Sequence, residues 1–262
     1  SELIQRFEKH LKKTGVEIEQ NTVKDINIKK NQAIFNILTG DIAETVIFLT
    51  PVEKLLSIQL QSPIDILITA PDKKKVGKNF ETGEEYDEIP FAFYSGYQTD
   101  DEYITIPNPL DGEYKIELQG TGSGGEYTIL TSYISDEIST TTEFLAVTGA
   151  GQISNLTVEV DNINPENLNI ESTDPITTSV LVNHINLAYQ FGWMSGEKTK
   201  EKLLKWAQSI IRFEEKTNTK IIDKKLAKML YNELPKLLED GDINISAYNL
   251  FKKDLEYLIN NN

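Results

Sequence analysis

The hydrophobic period changes sharply near residue 160. From about residue 16 to 160, apolar residues recur at every second position in short runs; beyond a polar stretch they recur every three to four. A period of two places side chains on alternate faces of a strand, and a period near 3.6 gathers them on one face of a helix. One segment cannot satisfy both. The fold class expected is therefore α+β by segregated domains, an antiparallel β-sandwich followed by a small four-helix bundle.

The strand-like runs are Val16–Glu19, Gln32–Ile37, Glu44–Leu49, Leu55–Leu60, Ile64–Ala70, Tyr103–Ile106, Glu113–Gln119, Tyr127–Tyr133, Glu143–Val147 and Gln152–Val160. Ile64, Ile66 and Ile68, or Tyr114, Ile116 and Leu118, alternate with polar residues, which reads as one buried and one solvated face. No amphipathic helix separates the runs, so parallel crossover units are not expected and two packed antiparallel sheets are. Leu3, Ile4, Phe7 and Leu11 suggest a lead-in helix over 1–15, ended by Gly15 or closing an upstream domain. The sandwich is placed at 16–161, a linker carrying Pro165 and Pro175 at 162–176, and the helical domain at 177–262. Its helices are read from Val180 to Phe191, Leu203 to Ile211, Leu226 to Leu238 and Ala247 to Ile259. The third is bent or broken near Pro235, and Asn244 or Ser246 caps the fourth.

Composition removes several function classes. With no cysteine, thiol catalysis, cysteine-bound zinc and a disulfide scaffold are excluded. Only His10 and His184 are present, too few for a polyhistidine metal site. The net charge of −15 argues against a nucleic-acid groove, and no apolar run reaches the roughly 18–20 residues of a membrane span. The acidity is local: residues 63–138 hold 16 acids against 5 bases, whereas 173–262 hold 12 acids and 13 bases. The chain opens Ser1-Glu2-Leu3, the start expected of a mature secreted protein or a fragment of a longer one.

Few motifs carry chemistry. Gly120-Thr121-Gly122-Ser123-Gly124-Gly125 has the glycine spacing of a dinucleotide loop, but a strand follows where that loop needs a helix, so a strand-to-strand turn is expected. Glu239-Asp240-Gly241-Asp242 has Leu237 and Pro235 where a calcium loop needs oxygen ligands, and reads as a turn between helices. Acids around 81–102 could converge on a hard cation: Glu84, Glu85, Asp87, Asp100 and Asp101 are the candidate Ca²⁺ ligands, set against a solvated acidic loop. Beside them stand Tyr94 and Tyr97; Trp193 and Trp206 open the helical part. These four rings are the candidate partner-binding residues, set against rings that fill a core or pin a loop. No catalytic residue is assigned, and no cofactor apart from Ca²⁺.

Two resemblances add to this. Ser62-Pro63, Asp65, Pro71-Asp72, Gly77, Glu88-Ile89-Pro90, Tyr94-Ser95-Gly96, Ile106-Pro107-Asn108-Pro109, Gly112-Glu113-Tyr114 and Gly120-Thr121-Gly122 make residues 32–160 similar to accessory sandwiches of bacterial and archaeal secreted proteins, of the pre-peptidase C-terminal and adhesin-like kind. Phe191-Gly192-Trp193-Met194-Ser195-Gly196, Lys202-Leu203-Leu204, Ala207, Leu234, Leu237-Leu238, Gly241-Asp242-Ile243, Ala247 and Leu255 give the C-terminal part a looser resemblance to the FIMAH helical module. Both imply a prokaryotic protein outside the cell membrane, secreted or on the cell surface, and neither motif supplies a catalytic residue. The expected function is thus a non-enzymatic accessory, binding or spacer portion. Its partners would be a protein or cell-surface glycan and an upstream domain of the same polypeptide, with no nucleic acid and no membrane span. The alternatives are a subunit of an extracellular assembly, such as a surface layer or filament, and a glycan hydrolase using two carboxylates.

Overall fold

The computed structural model describes residues 22–29, 32–39, 42–47, 52–61, 63–98, 101–217 and 219–261. The expected lead-in helix, Val16–Glu19 and Asp100 fall outside them. The chain divides into two compact units at residues 173 and 174.

Among the described residues, every strand pairing of the first unit is antiparallel. Strands β1 (Thr22–Lys29), β2 (Gln32–Thr39) and β3 (Ile42–Ile47) form a three-stranded meander. The remaining strands are β4 (Lys54–Gln61), β5 (Ile64–Thr69), β6 (Lys75–Lys78), β7 (Glu85–Asp87), β8 (Phe93–Tyr94), β9 (Asp101–Pro107), β10 (Gly112–Gly120), β11 (Gly124–Ser135), β12 (Ser139–Gly149), β13 (Ile153–Val160) and β14 (Asn169–Ser172). They build a six-stranded sheet in the order β14-β13-β10-β5-β6-β7 and a five-stranded sheet in the order β12-β11-β4-β9-β8. Leu56, Ile58, Leu60, Ile104, Ile106 and Ile129 of the smaller sheet share one core with Ile64, Ile66, Ile68, Ile116, Leu118 and Val158 of the larger. The alternation seen in sequence is the alternation of burial: Leu56, Ile58 and Leu60 are fully buried and their odd-numbered neighbours are not.

Gly120–Gly124 turns the chain from one sheet to the other. Gly124 has φ +75°, and a Cβ there would lie 2.2 Å from the Thr148 carbonyl oxygen. A Cβ on Gly120 would lie 2.0 Å from that of Gly149. The glycines are needed for close backbone approach within the sandwich, and the strand β11 follows directly.

The stretch expected as a linker is partly built into the sheet. Asn162 sits at the rim, where Tyr133 donates to its Oδ1 at 2.8 Å, its Nδ2 donates to the Pro109 carbonyl at 2.9 Å, and its N–H donates to Asp111 at 2.6 Å. The chain then pairs β14 with β13, Ile170 facing Val158 in register. A single apolar residue, Ile170, in Asn169–Ser172 is too short a pattern to announce a strand.

The second unit holds α1 (Thr178–Gln190), α2 (Glu197–Glu214), α3 (Thr219–Lys228), α4 (Leu234–Glu239) and α5 (Ile245–Asn260) around one core that includes Leu181, Leu203, Leu226, Leu234 and Leu255. A π-helical turn, Met229–Glu233, joins α3 to α4. It lies immediately before Pro235, whose missing N–H and ring disturb the regular i→i−4 ladder, so the expected break falls one turn earlier than the proline itself. Gly241, at φ +72°, ends α4, with the Asp242 N–H bonded to the Leu237 carbonyl at 2.9 Å. Asn244 is the cap of α5, accepting from the Ala247 N–H at 3.0 Å.

Candidate functional site

Where β9 enters the five-stranded sheet, Glu102 breaks a rule. It stands two and four residues before Ile104 and Ile106, both core-facing, and so takes a core position itself: it is 1% exposed. Such a carboxyl needs partners. The Tyr94 hydroxyl, on β8 beside it, donates to Glu102 Oε2 at 2.7 Å. The second partner comes from the facing sheet: the Asp65 carboxyl on β5, 3% exposed, is hydrogen-bonded to Glu102. On its other side Asp65 Oδ2 meets Lys78 Nζ, from β6, at 2.5 Å. Lys78 Nζ also lies 4.2 Å from the ring centre of Tyr97, and the Tyr97 hydroxyl donates to the Gly83 carbonyl at 2.9 Å. Four strands thus place Asp65, Lys78, Tyr94 and Glu102 in one contact chain spanning the two sheets.

The electrostatics follow from this geometry. Two carboxyls in hydrogen-bond contact must share a proton. Burial is the main reason that the Glu102 carboxyl is pushed up to about 9, opposed by the Tyr94 hydrogen bond and supported by Asp65. Burial and the adjacent Glu102 and Asp65 charges drive the Tyr94 hydroxyl well above the ordinary phenol range. Glu102 is therefore a neutral acid at pH 7, while the Lys78 ammonium and the Asp65 carboxylate balance one another.

The residues singled out from sequence are distributed differently. Glu84, Glu85, Asp87 and Asp101 are exposed, and among the described residues no group of three or more His, Cys, Asp or Glu converges as a metal cage would. Tyr94 and Tyr97 are half-buried and belong to the buried cluster. Trp193 and Trp206 are half-buried and pack against the bundle core, Trp193 with its ring centre 5.2 Å from that of Phe191. His184 takes no helical neighbour as partner; its Nδ1 meets Asp254 Oδ2 at 2.7 Å, joining α1 to α5. Asp254 is 1% exposed, so this pair is an internal tie of the bundle.

Sequence reasoning gave Asp65 and Lys78 no site role and took Glu102 only as a member of the acidic run Asp100–Glu102. For Glu102 a signal existed, since Glu102, Ile104 and Ile106 share one strand parity and an acid in that series demands explanation. For Asp65, flanked by Ile64 and Ile66, parity pointed to the polar face, and only the three-dimensional structure shows it buried.

No protein-family model matches the chain, and no curated protein or solved structure is significantly similar to it.

Proposed function

We propose that the chain is a non-catalytic accessory portion of a secreted or cell-surface protein, with the sandwich as spacer and binding module and the helical unit as a docking module. The observation that supports this reading is the internal use of the most perturbed carboxyl. Glu102 is 1% exposed and spends its hydrogen bonds on Tyr94 and Asp65. A glycosidase pair stands about 5–10 Å apart across a cleft that admits sugar; Glu102 and Asp65 touch, and neither faces solvent. The acids left outside, among them Glu84, Glu85, Asp87 and Asp101, give the 81–103 region the charge and polarity of a contact surface for a protein or a cell-surface glycan, with Ca²⁺ the ion such carboxylates would take.

The test is a turnover assay with the full chain on chromogenic glycosides, p-nitrophenyl esters and casein, alongside Glu102→Gln. The expected result is no turnover that depends on Glu102. Turnover by the wild type that vanishes in Glu102→Gln overturns the reading.

One feature favours a second reading, self-assembly. β12 is an eleven-residue edge strand whose only ladder partner among the described residues is β11. Leu145, at its outer face, is 59% exposed. A long edge strand is a template for strand addition. Sedimentation over a wide concentration range, with wild type and Leu145→Lys, decides it: concentration-dependent association weakened by the lysine supports assembly, and a monomer throughout removes it.

A further inference from the structure

We propose that Lys78 and Asp65 form a self-made isopeptide cross-link, with Glu102 as the proton carrier. Three features of the cluster carry this.

The first is proximity. Lys78 Nζ lies 2.5 Å from Asp65 Oδ2. One C–O bond adds about 1.2 Å, so the amine nitrogen is within about 3.7 Å of the carboxyl carbon. Held there by the fold, the two groups react as one molecule, which replaces the entropy of bringing them together.

The second is an acid in excess of charge balance. Lys78 and Asp65 already neutralise each other. Glu102 adds a carboxyl that the ion pair does not require, fixed by the Tyr94 hydroxyl with its proton directed at Asp65. A neutral acid hydrogen-bonded to a carboxyl draws electron density from its carbon and has a proton ready for the departing oxygen. This is the group that amide formation needs and a salt bridge does not.

The third is shielding. The side chains of Lys78 and Asp65 are 18% and 5% exposed. In water an ammonium carboxylate is the favoured form, because both ions are hydrated. Burial removes that advantage and favours the neutral amide. The Tyr97 ring closes over Lys78.

The step balances without an outside reagent. Within the contact, the Lys78 ammonium gives one proton to the Asp65 carboxylate, leaving a neutral amine beside a neutral acid. The nitrogen lone pair forms the Nζ–Cγ bond, and the carbonyl electron pair moves onto oxygen, which takes the Glu102 proton. Glu102, now a carboxylate, removes a proton from the nitrogen and returns it to the departing hydroxyl. The C–O bond breaks and water leaves; the remaining hydroxyl re-forms the carbonyl and returns its proton to the Glu102 carboxylate. One ammonium and one carboxylate become one amide and one water, and Glu102 ends protonated as it began. Residues 65–78 then form a covalent ring that fixes β6 to β5, near the β7 edge of the six-stranded sheet.

The experiment is the intact mass of the full chain, measured after denaturation, for wild type, Lys78→Ala, Asp65→Ala, Asp65→Asn and Glu102→Gln. We expect the wild type to be lighter than its sequence mass by one water, about 18 Da, with fragmentation placing the loss on a Lys78–Asp65 bridge. Lys78→Ala and Asp65→Ala should show their full sequence masses. Asp65→Asn should lose ammonia, about 17 Da, in place of water. Glu102→Gln, if folded by circular dichroism, should keep the full mass or lose it far more slowly. A folded wild type that retains its full sequence mass after long incubation overturns the proposal and leaves an ordinary buried ion pair. That outcome needs no variant to fold, and it leaves the non-catalytic reading untouched, since turnover is measured separately.

Discussion

Glu102 shows how one side chain couples stability to pH. Its carboxyl titrates near 4.5 in an unfolded chain and at about 9 in the fold. Between those values the folded state keeps a proton that the unfolded state has lost. Stability therefore falls as pH rises from about 4.5 and the loss is complete near 9, with a limiting slope of about 1.4 kcal/mol per pH unit for one proton. Urea titrations across that window should show a midpoint that declines with pH in the wild type and is flatter in Glu102→Gln. Thr131 is the opposite kind of residue. It is fully buried on β11, and its hydroxyl oxygen has no hydrogen-bond partner. Thr131→Val keeps the shape and removes the unmet polar group. It should raise stability by about 1 kcal/mol, read as a higher urea midpoint with an unchanged m-value.

Elements differ in how plainly they were written. β4, β5, β10, β11 and β13 could be read from sequence because each places at least three residues, at every second position, against one core. β6, β7 and β8 could not: they have four, three and two residues, and their hold comes from loop contacts. Ser95 Oγ accepts from the Tyr103 N–H at 2.8 Å, and Asn79 Nδ2 donates to the Tyr86 hydroxyl at 3.2 Å. These bonds close loops between residues eight and seven positions apart, and no strand period encodes them. The site inherits the same limit, since Lys78 and Tyr94 stand on just those short strands while the carboxyls stand on long ones. The anchoring of β14 was hidden for a related reason: it depends on Asn162 reaching Tyr133, Pro109 and Asp111. Asn162→Ala should cost about 2 kcal/mol, because it leaves the nearly buried Tyr133 hydroxyl without its acceptor. Hydrogen exchange should then show β14 opening before the rest of its sheet.

At the scale of the whole molecule, each unit closes its own core. Among the described residues, the sandwich core draws on residues between Leu56 and Ile170, and the bundle core on residues between Ile176 and Ile259. That independence was legible in sequence as the change of period, the one feature that neither turn chemistry nor charge could disguise. Produced separately, residues 52–173 and 174–262 should each unfold in one cooperative transition by circular dichroism; a fragment without such a transition would show that its core is incomplete alone. Within the bundle, Asp254→Ala should lower the melting temperature of 174–262 and leave that of 52–173 unchanged, since its partner His184 belongs to the same unit.

The placement of Glu102 makes the contact chain a test of phase. Slipping β9 by one residue against β4 would turn Glu102 outward and bring Tyr103 to its place. Asp65 would then face Lys78 alone. The two carboxyls meet only in chains whose sheets have come together in the correct phase. A bond made at that point would outlast the fold that made it, so a population of unfolded chains would still carry a count of how many had once folded correctly.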